Sequence, residues 1–189
     1  MPGQRLGSTF VELFFSVHCE EGARLLKEAE GMLLGDIEVA RWEEMKTLVD
    51  TLAVGGAPLC TDPRGQVGLY ARVASEIVIA LEQRLSGRVL RLPVMLLEDG
   101  VHGGEFLRRA RMWKQRLGCT GPLVAVGVEI PGFEGVNAED EGDLVLLSLT
   151  GEQVLAQTAA PGGLDHAVGM WQGRLAEAVV HRWGQFLTS

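Results

Sequence analysis

Apolar residues recur at helical spacing through the first half of the chain and gather into short, dense runs in the second. Thr9-Phe10-Val11-Glu12 has the spacing of a capping box, which opens a helix at Phe10 with Phe10, Leu13, Phe14 and Val17 on one face. The same stretch alternates Val11, Leu13, Phe15 and Val17, so a strand there stays open. Ala23–Leu34 continues as helix after a break near Gly22. Asp36 caps a further helix through Val54, with Ile37, Ala40, Met45, Leu48 and Leu52 inward and Gly55-Gly56-Ala57-Pro58 as its stop. Residues 57–66 read as a loop, and Asp62-Pro63 as an N-cap followed by proline at the first helical position. The helix after it carries Leu69, Val73, Ile77, Ala80, Leu81 and Leu85 on one stripe, and Val67, Val78 and Ile79 extend its apolar surface nearly all round.

The period then changes. Val89–Leu97 and Leu123–Ile130 are apolar runs of strand length, and between them Gly103–Leu117 is amphipathic, with Phe106, Leu107, Ala110, Trp113 and Leu117 inward. A strand–helix–strand unit of this kind makes its two strands parallel through a right-handed crossover. Residues 131–142 form an acidic, glycine-containing loop. Leu144–Leu149 and Gln153–Ala159 flank Thr150-Gly151-Glu152, which predicts a tight hairpin. Pro161-Gly162-Gly163 leads into a long final helix with the stripe Leu164, Val168, Trp171, Leu175, Val179 and Phe186. No internal repeat or low-complexity segment occurs. The expected fold is a single α/β domain: a mainly helical half over 1–86, then a sheet-containing half over 87–189 with about four strands of mixed direction and a long C-terminal helix.

Composition narrows the class. A chain of 189 residues with 47% hydrophobic content can bury a core, and its 25 scattered glycines mark turns and close packing rather than a disordered chain. The net charge of −8 argues against sequence-independent nucleic-acid binding and against an anionic membrane surface. Phe10–Val17 is too short and too interrupted by Glu12 for a signal peptide, and no run reaches membrane-spanning length. Cys19, Cys60 and Cys119 are odd in number and widely spaced, which fits free thiols in a reducing, cytoplasmic setting and excludes a zinc ribbon.

The chemistry-bearing residues gather in two loops. Glu98, Asp99 and His102 follow the first strand, ahead of Gly103-Gly104-Glu105; Asp165 and His166 open the last helix. If strand 144–149 runs antiparallel to 123–130 and the hairpin turns the chain again, the strand ends near Leu97, Ile130 and Ala159 share one sheet edge. That rim collects both loops, with Glu134, Glu139, Asp140, Glu141 and Asp143 beside them. Glu98, Asp99, His102 and His166 could hold a divalent metal there, with Asp165 as a base for a metal-assisted hydrolase. A solvated acidic edge whose residues cap helices fits the same pattern.

Other motifs fall short. The glycines match neither dinucleotide nor P-loop spacing, and the flanking acids repel an anion. His102 and Cys119 lie at opposite edges of the expected sheet, which argues against a Cys–His dyad. His18-Cys19-Glu20 contains the H-x-E of zinc nucleobase deaminases, but the partner cysteine pair is missing. Cys60 has only Arg64 as a nearby cation. Helix 103–117 carries Arg108, Arg109, Arg111, Lys114 and Arg116, a face that is either solvated or turned to an acidic surface; residues 1–50, with ten acids against five bases, offer one. Trp171 and Trp183 sit at opposite margins of the final stripe, where tryptophan serves as core edge or interface anchor, and Met112 projects among the arginines. The expected function is that of a non-catalytic accessory or interaction domain that self-associates or docks on a larger protein. No cofactor is assigned to it, and the alternative is the metal-assisted hydrolase.

Overall fold

Thr51–Pro58 (β1) runs through the middle of the sheet, and every residue in it except Pro58 is buried. The computed structural model describes residues 46, 49–59, 68–85, 88–98, 100–133 and 143–186, all within one compact unit, Met32–Ser189. The helices expected over 10–34, most of the one expected over 36–54, and the Asp62-Pro63 cap lie outside the described residues. Over 51–54 the helical expectation is corrected, because these residues are strand. Leu48 and Leu52 fit a helical stripe. Burial on both faces, however, needs the unbroken apolar run that a central parallel strand shows, and Leu52-Ala53-Val54 is such a run.

The chain continues through α1 (Leu69–Arg84), β2 (Val89–Arg91), β3 (Met95–Leu97), α2 (Gly103–Leu117), β4 (Leu123–Val128), β5 (Leu144–Leu149), α3 (Gly151–Ala159) and α4 (Gly163–Phe186). The expected strand 89–97 is divided in two. Leu92 N–H still donates to Ala53 O at 2.9 Å, but Pro93 has no N–H to give and the ladder breaks there. Both halves pair with β1, and the sheet order is β2-β1-β4-β5 with β3 continuing the β2 edge. The α/β class, the strand–helix–strand unit, α2 and the long final helix all stand as the sequence predicts.

Two expectations about the second half are corrected. Strand 144–149 is parallel to 123–130, with Leu123 opposite Leu144 and Val128 opposite Leu149, and every pairing among the described strands is parallel. Residues 129–143 are long enough to carry the chain back to the starting edge, as parallel neighbours require. Residues 153–159 are not a returning strand but most of α3. Thr150 Oγ1 accepts from Gln153 N–H, and the Gln153 side chain accepts from Thr150 N–H, which is a complete capping box.

Parallel strands need cover on both faces. On one face α1, α3 and α4 bury Val73, Ile77, Leu81, Trp171, Leu175 and Val179 against Ala53, Val124 and Val126. On the other, α2 buries Phe106, Leu107 and Ala110 against Leu52, Val54 and Ala125. Glycines set how closely each layer approaches. Gly56 and Gly127 are register partners on the two central strands. A Cβ on Gly56 would lie 2.6 Å from the Phe106 ring, and one on Gly127 would lie 2.5 Å from the Phe133 ring. These two rings pack together at 5.5 Å between centroids, tilted by 60°. On the opposite face, a Cβ on Gly55 would crowd Ala74 at 3.2 Å. Gly55-Gly56, read from sequence as a helix stop, is therefore a seat for helices on both sides of β1.

At the sheet's starting edge, the last helix is pinned to the first strand. Trp183 Nε1–H donates to Thr51 Oγ1 at 2.9 Å, Thr51 Oγ1–H donates to Asp50 Oδ1 at 2.7 Å, and Arg88 Nε–H donates to Asp50 Oδ2 at 2.9 Å. The Arg88 guanidinium also stacks 4.0 Å from the Trp183 ring centroid. Trp183, read as a margin residue, thus anchors within the fold. A buried ion pair, Arg91 Nε to Glu82 Oε2 at 3.5 Å, ties β2 to α1. α2 ends where Gly118 takes the left-handed conformation (φ 71°) and its N–H turns back to Gln115 O and Lys114 O.

The glycine seat gives a direct test. Gly56→Ala and Gly127→Ala should each destabilise the protein by about 1–3 kcal/mol in urea unfolding, because the added methyl meets a buried ring. Gly104→Ala is the control: its Cβ would enter open space in the first turn of α2, so stability should be unchanged or rise by roughly 0.5–1 kcal/mol.

Candidate functional site

Because the described strands are all parallel, Pro58, Leu97, Val128 and Leu149 end at the same edge of the sheet. The chain leaves β1 toward the β2 side and leaves β4 toward the β5 side, so the two central strands form a topological switch point, the place where open parallel sheets take ligands. This edge brings together the strand ends expected near Leu97 and Ile130 but not Ala159, which ends a helix instead. It is bounded by Leu59, by Glu98 and Gly100–His102, by Glu129–Phe133, and by Thr150-Gly151.

Glu98 and His102 are both exposed on this rim. Asp99 lies outside the described residues. His102 is the N-cap of α2 (φ −92°, ψ 160°), and its side chain makes no capping bond. The two glycines after it differ in purpose. Gly103 is buried, and a Cβ there would lie 2.5 Å from Phe133 Cα, whereas Gly104 faces open space. Gly103 N–H donates to Pro131 O at 2.8 Å, and the N–H groups of Glu105 and Phe106 fold back onto His102 O. The start of α2 is thus docked on the turn after β4, and the N–H groups of Gly103, Glu105 and Phe106 are already used within the fold rather than offered to an anion.

Asp165 and His166 are exposed in the first turn of α4. They follow α3 and the turn at Gly162 (φ 92°), not a strand end at Ala159. α2 and α4 cover opposite faces of the sheet, so His102 and His166 stand on elements in different layers. Among the described residues, no three His, Cys, Asp or Glu side chains come together as a metal-binding group.

The rim also holds a residue that the sequence did not single out. Glu129, directly after β4, has φ 53°, the one described non-glycine residue with positive φ. Its carboxylate accepts from Gly151 N–H, the first N–H of α3, where the helix dipole favours negative charge. A Cβ on Gly151 would lie 2.4 Å from the Tyr70 hydroxyl and 2.9 Å from Glu129 Oε2. Gly151 is therefore required where α1, β4 and α3 meet. No local pattern signals the role of Glu129, because its partner is 22 residues away.

α2 carries the densest charge. Glu105 accepts from Arg108 Nε and Nη2, both at 2.7 Å, and from Arg109 Nε at 2.8 Å. These bonds hold its carboxyl pKa down at about 2. Lys114 pairs with Asp143 at the start of β5. Arg116 lies 6.0 Å from the Trp113 ring centroid, and Met112 is half-buried. Cys119 is buried just past the helix end, and burial pushes its thiol pKa up to about 11. Fifteen helical residues separate His102 from Gly118, about 22 Å at 1.5 Å per residue, which rules out a dyad of His102 with Cys119.

Glu129→Ala should cost about 1–2 kcal/mol in denaturant unfolding, since it removes the bond to Gly151 and keeps the left-handed backbone. Glu129→Gly should cost roughly 1 kcal/mol less than the alanine variant, because glycine relieves the backbone penalty. A glycine variant as unstable as the alanine variant would contradict this account. Cys119 should alkylate roughly a hundredfold more slowly at pH 8 than an ordinary thiol, read by peptide mapping of the native protein against the urea-unfolded chain.

No known protein family, curated protein or solved structure matches this chain.

Proposed function

We propose that this chain is a non-catalytic interaction domain that presents the outer face of α2 to an acidic protein surface. The carrying observation is the concentration of five of the chain's 17 basic residues on one 15-residue helix, in a protein of net charge −8. Arg108, Arg109, Arg111 and Arg116 are exposed along it. Glu105 is the single acid on the helix, and it braces the Arg108 and Arg109 guanidiniums side by side. Bracing lowers the entropy lost when those groups meet a partner's carboxylates. Trp113 and Met112 are half-buried between the arginines, the residue types enriched at contact surfaces.

The test is capture from the source lysate on immobilised wild-type protein and on the triple variant Arg108→Glu, Arg111→Glu, Arg116→Glu. The wild type should hold a stoichiometric acidic protein that a few hundred millimolar salt releases, consistent with screening of exposed charge. The variant should bind the purified partner at least tenfold more weakly, mostly through a slower on-rate. Equal capture by both proteins, or none by either, would contradict the proposal.

A further inference from the structure

The first two turns of α2 hold two guanidiniums on one carboxylate. Glu105 Oε2 accepts from Arg108 Nε, and Glu105 Oε1 accepts from both Arg108 Nη2 and Arg109 Nε, at 2.7–2.8 Å. One oxygen shared by two side chains sets the two cations next to each other. Glu105 is the least exposed of the three, at 32% against 66% for Arg108 and 44% for Arg109. The carboxylate therefore lies beneath the cations and leaves their outer ends uncovered. The backbone under the cluster is fixed as well, because Gly103 is pressed against Phe133 and Phe106 is fully buried. Side chains braced on a seated turn of helix keep their geometry.

The unused donors decide what such a cluster can take. Arg108 spends its Nε and Nη2 on Glu105 and keeps Nη1. Arg109 spends only Nε, so its terminal Nη1 and Nη2 make no bond among the described residues. A terminal pair of guanidinium nitrogens matches the two oxygens of a carboxylate, and a carboxylate that docks there does not displace Glu105. Two cations and one anion leave a single net positive charge, the complement of one carboxylate rather than of a dianionic phosphate.

We infer, on the reading of α2 as a face for acidic proteins, that Arg109 beside Arg108 is the anchor for a partner's carboxylate and that Glu105 is its positioning residue. Glu105 has the same sign of charge as the partner, so Coulomb repulsion alone makes it a hindrance to binding. Positioning makes it a help, because guanidiniums held in place beforehand lose less freedom when they bind. The sign of one substitution separates the two effects.

The test is titration of a hexaglutamate peptide into the purified full chain at low salt, followed by NMR at the backbone amides and the arginine Nε–H groups. In the wild type the peptide should shift the Nε–H signals of Arg108 and Arg109. Glu105→Gln makes α2 more positive, and it should nonetheless weaken binding by roughly threefold or more. Arg109→Lys keeps the charge but loses the paired donors, and should weaken binding by a similar factor. The α2 amides of both free variants should stay helical, since an exposed ion pair adds little to stability. A Glu105→Gln protein that binds as tightly as the wild type, or more tightly, would overturn the positioning role, and undiminished binding by Arg109→Lys would overturn the anchor; either result leaves acidic docking on α2 standing. A wild type in which the peptide shifts no signal of α2 would overturn the inference and the docking face together.

Discussion

Gly56 and Gly127 sit side by side on the two central strands, and Phe106 and Phe133 fill the space that their missing side chains leave. This contact sets more than local packing. Phe106 belongs to the first turns of α2, and Phe133 to the turn after β4. When both rings rest on the glycine pair, Gly103 is pressed against the Phe133 backbone and its N–H meets Pro131 O. The height of α2 above the sheet, the position of His102 and the shape of the rim all follow from two absent methyl groups. Interiors packed at crystal-like density have no slack to absorb one.

The same contact explains what could be read from the chain beforehand. α2 was fully legible: its apolar stripe, its glycine start and its glycine end are local signals with local causes. The α/β class and the final helix followed from periodicity in the same way. β1 was hidden because Gly55-Gly56-Ala57-Pro58 resembles a helix terminator, and only a tertiary neighbour, the Phe106 ring, gives Gly56 its meaning. The capping box Thr150-Gly151-Glu152-Gln153 was present in the sequence, but two apolar runs around a short polar turn drew a hairpin instead. The direction of β5 depended on the length of 129–143, which suits a return crossing better than a reversal.

At the rim, the residue types were legible and their grouping was not. Glu98 and His102 do line the edge where parallel strands end, and Asp165 and His166 open a helix in another layer. The residue that joins elements there is Glu129, whose carboxylate reaches a helix start 22 positions on. Its left-handed backbone is tolerated because that bond, and the close meeting of Tyr70 with Gly151, fix the corner. Charge is divided on the same plan. Glu98 and Glu129 stand at the strand ends, while bases line α2, where Glu105 holds Arg108 and Arg109 in place.

The most direct test of the central claim is the α-proton chemical shift of Gly56 and Gly127 in the wild-type protein and in Phe133→Leu. Rings packed on these backbones should displace the glycine α-protons well away from their unstructured positions. The Gly127 displacement should collapse in the variant, and that of Gly56, which rests under Phe106, should largely persist. Unstructured shifts at both glycines in the folded wild-type protein would contradict the account.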